Sequence, residues 1–263
     1  FLYLRRNDQG GTPGWLQSLL HTGGVWLLFL LAADALWFGI DRAGLWAGDW
    51  AKVSGLAAAT ATLLLLSLWA GRANRAEALS THRWPLNPHA RAYWWWAALP
   101  VALIVWLGAL AAGVSASGDT APLPYLPLLN PVDLSLALAI GALLLWRRCL
   151  TTSNPQPTVA EGLAGPAGLV AIGGLGFIAL NSIWLRIAHQ YLGVPWFADA
   201  LFGSSTVQTG LTILWALLAV GLMLFGHRRA RRPLWFAGAG LLGVVVLKLL
   251  LVDMSSAEGW QRI

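Results

Sequence analysis

The sequence is poor in charge and almost devoid of cysteine. Only 11% of its 263 residues are Asp, Glu, Lys or Arg, against roughly 25% in soluble globular domains. A water-facing surface on all sides cannot be built from so few. Cys149 is the one cysteine, which excludes a disulfide scaffold. Disorder is excluded too, because a disordered chain needs low hydrophobicity and high charge, whereas 57% of this chain is hydrophobic. Tyr and Phe are scarce, at 4 and 8, while Trp reaches 17. What remains is a chain with mean hydropathy +0.64, the composition of a membrane protein.

A spanning helix needs about 20 mostly apolar residues. Seven stretches meet this: 15–40, 47–70, 92–113, 130–146, 165–191, 206–226 and 235–252. The expected fold class is an all-α polytopic transmembrane bundle, a single helical domain over 1–263. Breaker-rich connections such as Ser117-Gly118-Asp119 and Ser153-Asn154-Pro155 separate the spans. The connection from 71 to 91 carries Arg72, Arg75, Arg83 and Arg91 and is expected to lie partly in the headgroup plane. Both ends read as cut from a longer chain.

The net charge of +6 would suggest nucleic acid in a soluble domain, but here it is topological. Arg5, Arg6, Arg72, Arg75, Arg83, Arg91, Arg147, Arg148, Arg228, Arg229, Arg231 and Arg232 all fall on one side of the alternating spans. By the positive-inside rule that side is cytoplasmic. The expected location is the bacterial inner membrane, multi-pass, with lipids as surroundings and no nucleic-acid partner.

An ionisable group inside a span costs about 2.5–3.5 kcal/mol on insertion scales, so each needs a partner, water or a role. Asp34, Arg186 and Lys248 lie within spans, each roughly 6–9 Å inside the outer end at a rise of 1.5 Å per residue. Trp184 lies at the same depth, His189 slightly further out and Asn181 nearer the midplane, while Asp253 ends the seventh span and Asn130 and Asp133 start the fourth. Ser182, Arg186 and His189 follow one another at i, i+4 and i+7 and share a helix face. The apolar loop 194–203 is expected to dip into the interface beside them. These nine polar and aromatic residues could form an outer-side pocket for an anionic lipid or glycan, or pair between helices as structural glue. His189 is the candidate catalytic base. No cofactor and no metal site is expected: His82 and His89 lack Cys or acid ligands at metal spacing and read as solvated, His21 as interfacial. Gly168, Gly173, Gly174, Gly176, Gly238, Gly240 and Gly243 read as helix-contact positions, and Tyr93-Trp94-Trp95-Trp96 as an interfacial anchor.

Several stretches carry a family resemblance: Leu128-Leu129-Asn130-Pro131-Val132-Asp133-Leu134, Leu180-Asn181-Ser182-Ile183-Trp184-Leu185-Arg186, Gly193-Val194-Pro195-Trp196, Gln208-Thr209-Gly210-Leu211 and Leu247-Lys248-Leu249-Leu250-Leu251-Val252-Asp253-Met254. Together they resemble the C-terminal region of large bacterial predicted membrane proteins grouped as domain of unknown function 2339. The resemblance implies further transmembrane segments of a longer chain as partners and brings no reaction with it. The leading expectation is an envelope protein that binds or handles an anionic lipid or glycan on the periplasmic side. The alternatives are a structural scaffold of an envelope complex, a membrane-embedded acyl or glycosyl transferase, and a transporter.

Overall fold

The computed structural model describes residues 2–76, 89–152 and 158–253. Those residues are helical throughout apart from turns and loops. They divide into two compact units, 1–183 and 184–263, each described by itself.

In the first unit, α1 (Leu2–Gln9) leads through Gly11, at φ +71°, into α2 (Gly14–Arg42). At 1.5 Å per residue the 29 residues of α2 extend about 43 Å, longer than a hydrocarbon core of about 30 Å. Gly44 takes the left-handed conformation, φ +65°, that turns the chain through a single 3-10 turn (Leu45–Ala47) into α3 (Trp50–Ala76). A π-helical segment (Ala92–Ala97) opens the third span and continues as α4 (Ala98–Ser115). α5 (Pro131–Thr152), α6 (Thr158–Ala164) and α7 (Pro166–Leu192) follow, and α7 runs on into the second unit.

The hydrogen bonds of this unit establish an up-and-down order. At one end Trp146 on α5 donates its indole N–H to the Trp94 carbonyl, 3.0 Å away. At the other, the Asp49 amide before α3 donates to the carbonyl of Asp119 beyond α4, 2.8 Å away. α3 packs against α4 and α5, and α4 against α5. Between apolar helices in lipid the driving force is close packing, which small residues permit, and the buried positions of α4 and α5 include Ala98, Ala102, Ala109, Ala139 and Ala142. Trp94 and Trp95 belong to this core, 4% and 3% exposed, while Trp96 faces outward. The aromatic run is therefore mostly core, because the wider π turn rotates successive side chains inward in a way that no 3.6-residue reading of the sequence anticipates.

The second unit holds the end of α7, then α8 (Ala198–Gly203), α9 (Ser205–Arg228), α10 (Arg232–Lys248) and a π-helical turn (Leu249–Asp253). α9 and α10 form an antiparallel hairpin turned at Ala230. At Gly238 the helices nearly touch: an added Cβ would lie 2.6 Å from the Ala219 carbonyl oxygen. Of the seven glycines read as helix-contact positions, Gly238 is so placed, while Gly168 meets the Leu163 backbone at the turn from α6 into α7. At Gly173, Gly174, Gly176, Gly240 and Gly243 an added Cβ would meet nothing within 4 Å.

Among the described residues, seven helices are long and apolar enough to cross a membrane: Gly14–Arg42, Trp50–Trp69, Ala92–Ser115, Pro131–Thr152, Pro166–Leu192, Ser205–Arg228 and Arg232–Leu251. The fourth runs six residues beyond the 130–146 expectation, since Arg147 to Thr152 continue helically past the apolar stretch. Most of the 71–91 connection, with His82, lies outside the described residues.

Candidate functional site

At the end of the first unit where Asp49 meets Asp119, Asn130 is a helix cap. Its side-chain oxygen accepts from the Val132 amide at 2.9 Å, and its amide donates to the Gly118 carbonyl at 3.0 Å and to Thr120 Oγ1 at 3.2 Å. The Asp133 carboxylate accepts from the Leu128 amide at 3.1 Å, in the first turn of α5, where an acid also complements the helix dipole. Asn181 donates back to the Phe177 carbonyl one turn earlier, 2.7 Å away. Ser182, buried beside it, donates to the Gly113 carbonyl of α4. Asp34 stands apart, exposed on α2, with no hydrogen bond or ion pair among the described residues of its unit.

A residue not singled out from the sequence organises this end. Asp49 is 3% exposed, and one carboxylate oxygen accepts from the amides of Gly118 at 2.8 Å and Asp119 at 3.2 Å. The other accepts from Lys52 at 2.8 Å. The only sequence sign was an acid facing a Ser-Gly-Asp turn across the ends of two adjacent spans.

In the second unit, Arg186 has no exposed surface and is the largest fully buried side chain among the described residues. Trp184 donates its indole N–H to the Val207 carbonyl at 3.1 Å, lying against Gly210 of α9. His189 donates from Nδ1 to the Val194 carbonyl at 2.7 Å, and its ring lies 5.7 Å from that of Trp196. The apolar loop thus folds back over His189, leaving Nε2 as the nitrogen able to accept a proton. Lys248 reaches across the hairpin to the Gln208 carbonyl at 2.9 Å and Thr212 Oγ1 at 2.6 Å. Asp253 ends the last π turn, and its side chain lies outside the described residues. The nine sequence-selected residues are distributed over both units, four before 183 and five after. Within the second unit, Trp184 and Lys248 bind the same stretch of α9, 207–212.

At the arginine-rich end of the first unit, a second polar cluster joins residues distant in sequence. His21 is 1% exposed, buried within the protein on α2. Its Nε2 lies 3.2 Å from Asp8 Oδ2, and its Nδ1 2.8 Å from the Tyr93 hydroxyl. His89 Nε2 lies 3.2 Å from the same Asp8 oxygen, and the two imidazoles stack with centroids 4.1 Å apart. His89, only 9% exposed at its side chain, is held in this cluster rather than solvated. With 13 and 81 positions separating Asp8 from the two histidines, no spacing motif announces the group. Its sequence trace is that all three fall at the same end of the alternating spans.

The helices and their polar ends define an all-α, multi-pass membrane protein. The chain belongs to the family described as predicted membrane protein (DUF2339), whose model matches residues 1–263. No curated protein and no solved structure matches it.

Proposed function

We propose that this chain is the helical framework of a bacterial inner-membrane assembly, with its arginine-rich ends in the cytoplasm and the polar residues of its outer halves acting as ties between helices and loops. One observation carries this reading: the Lys248 ammonium, inside an apolar helix, bonds to Gln208 and Thr212 of the neighbouring helix. The indole of Trp184, the imidazole of His189 and the amide of Asn130 likewise engage backbone carbonyls of the protein itself. A polar group committed to a backbone oxygen meets the demand of a low-dielectric setting and is withdrawn from recognition of a ligand.

The second reading, a periplasmic-side pocket for an anionic lipid or glycan, is favoured by Arg186. Its guanidinium is wholly buried, and a guanidinium offers a rigid fork of donors that matches carboxylate and phosphate geometry. Native mass spectrometry of the detergent-solubilised chain with phosphatidylglycerol separates the two. The framework reading expects equal lipid retention by the wild type and Arg186→Gln. Stoichiometric lipid held by the wild type and lost from Arg186→Gln would establish the pocket instead. Reporter fusions after residues 120 and 152 test the orientation, with the first expected outside and the second in the cytoplasm.

A further inference from the structure

We infer that Asp8, His21 and His89 form a binding site for a divalent first-row transition metal at the arginine-rich end of the first unit, independent of the framework reading. The three side chains come from three separate segments: α1, the seventh position beyond the start of α2, and the residue that leads into the third span. Their ligand atoms all lie within 4.8 Å of one another. Both imidazole Nε2 atoms sit 3.2 Å from one carboxylate oxygen. Two ligand atoms bound to one ion at 2.0–2.2 Å are separated by about 3.0 Å at a right angle and about 3.4 Å at the tetrahedral angle. The two nitrogen–oxygen separations fall between these values, and an ion would draw the two imidazole nitrogens, within 4.8 Å of each other, onto the same centre.

The surroundings match a ligating histidine. When Nε2 of a histidine faces a metal, its other ring nitrogen carries the proton and donates to an oxygen that fixes the tautomer and ring orientation. Here His21 Nδ1 lies 2.8 Å from the Tyr93 hydroxyl, with His21 almost fully buried and Tyr93 8% exposed. Tyr93 is presented by the π-helical segment that opens the third span. π turns within helices occur frequently at functional sites, and this one points its hydroxyl at the candidate ligand. Tyr93 is a positioning residue, since it would act on the metal through His21.

The donor set decides the class of ion. Two imidazoles and one carboxylate suit zinc, iron, cobalt or nickel, whereas calcium and magnesium prefer all-oxygen surroundings. Three protein ligands leave at least one coordination position for water or an exchangeable ligand. A bound ion would also clamp α1 and the start of the third span to α2.

The test uses the whole chain in detergent, stripped with a chelator and titrated with Co²⁺ and Zn²⁺. One ion per chain is expected, with cobalt absorption bands in the visible and nitrogen and oxygen neighbours in the X-ray absorption spectrum. Asp8→Asn and His89→Gln are expected to weaken binding by about a hundredfold or more, and Tyr93→Phe by roughly ten- to a hundredfold, each with an unchanged helical circular-dichroism spectrum. If a variant fails to fold, the wild-type cobalt spectrum decides alone, because two coordinated imidazoles give a distinctive multiple-scattering pattern. A wild-type chain that binds no ion, or an ion without imidazole neighbours, overturns the assignment. So does metal binding unchanged in a folded Asp8→Asn or His89→Gln chain.

Discussion

Lys248 donates to the backbone carbonyl of Gln208, 2.9 Å away across the α9–α10 hairpin. The Gln208 carbonyl also accepts from the hydroxyl of Thr212, at 2.9 Å, and that hydroxyl oxygen accepts from Lys248 at 2.6 Å. The cation therefore closes a three-membered polar ring against one turn of α9. Lys248→Met, similar in length and apolar, removes both charge-assisted bonds and is expected to lower thermal stability in detergent by about 1.5–3 kcal/mol. Lys248→Glu sets a carboxylate against a carbonyl oxygen, and a loss of roughly 3 kcal/mol or more is expected from an uncompensated buried charge. No loss with Met would mean that the tie contributes nothing to stability, against the framework reading.

Trp184 and Gly210 are fitted to each other. A Cβ added at Gly210 would fall 2.0 Å from the indole ring of Trp184, so Gly210→Ala must displace the ring and lengthen its bond to Val207. Overpacking costs about 1–3 kcal/mol and the lost hydrogen bond about 0.5–1.5 kcal/mol. Gly210→Ala should accordingly lower stability by roughly 2–4 kcal/mol, and Trp184→Leu in the same chain should restore part of it. Gly173→Ala is the control, because nothing lies within 4 Å of the added carbon and alanine favours the helix by roughly 0.8–1 kcal/mol over glycine. Thermal unfolding of the four chains checks the series. Equal effects at the two glycines would refute the fit.

Asp49 holds the loop after α4 by two backbone amides and the ammonium of Lys52. Asp49→Ala leaves the buried Gly118 N–H without its acceptor, and a buried donor so orphaned costs about 1–3 kcal/mol. The loss should be local: hydrogen exchange at Gly118 and Asp119 is expected to accelerate at least about tenfold, the equivalent of about 1.4 kcal/mol. Amides in the middle of α4 and α5 should keep their protection. Uniform loss across α4 and α5 would show instead that Asp49 supports the whole bundle.

The spans were legible because a run of about 20 apolar residues has few alternatives in a folded chain, and the arginine asymmetry supplied their alternation. Their polar ends were legible as locations and less so as partners. The sequence marks Asn130 before Pro131 as a helix start, and the cap is formed there. It marks Lys248 as an intramembrane charge but cannot show that Gln208, 40 residues away, supplies the acceptor. Periodicity fails at Tyr93 to Trp95, where the π turn changes the angular step. The cluster of Asp8, His21 and His89 was illegible for a simpler reason: ligand spacing is a sequence signal only when the ligands share a turn or a loop, and these three meet through the packing of separate helices.

Asp34 sets the last expectation. It lies on α2 among exposed Leu27, Leu30, Leu31, Trp37 and Phe38, and most of this helix faces away from the rest of the first unit. Its neighbours at i−4, i−3, i+3 and i+4 are all apolar, so the helix itself supplies no counter-charge by the usual spacing of surface pairs. A carboxylate inside an apolar span costs about 2.5–3.5 kcal/mol on insertion scales. Asp34→Leu should therefore improve membrane insertion of this helix in an insertion assay by a free energy of about that size. In the native assembly the same substitution should lower assembly if a neighbouring helix presents a polar or cationic side chain to Asp34. Chemical cross-linking from a cysteine placed at Leu31 or Phe38 reads that second effect directly. Improved insertion with a weakened cross-link identifies Asp34 as a contact retained at the expense of insertion, whereas an unchanged cross-link would remove Asp34 from any role in assembly.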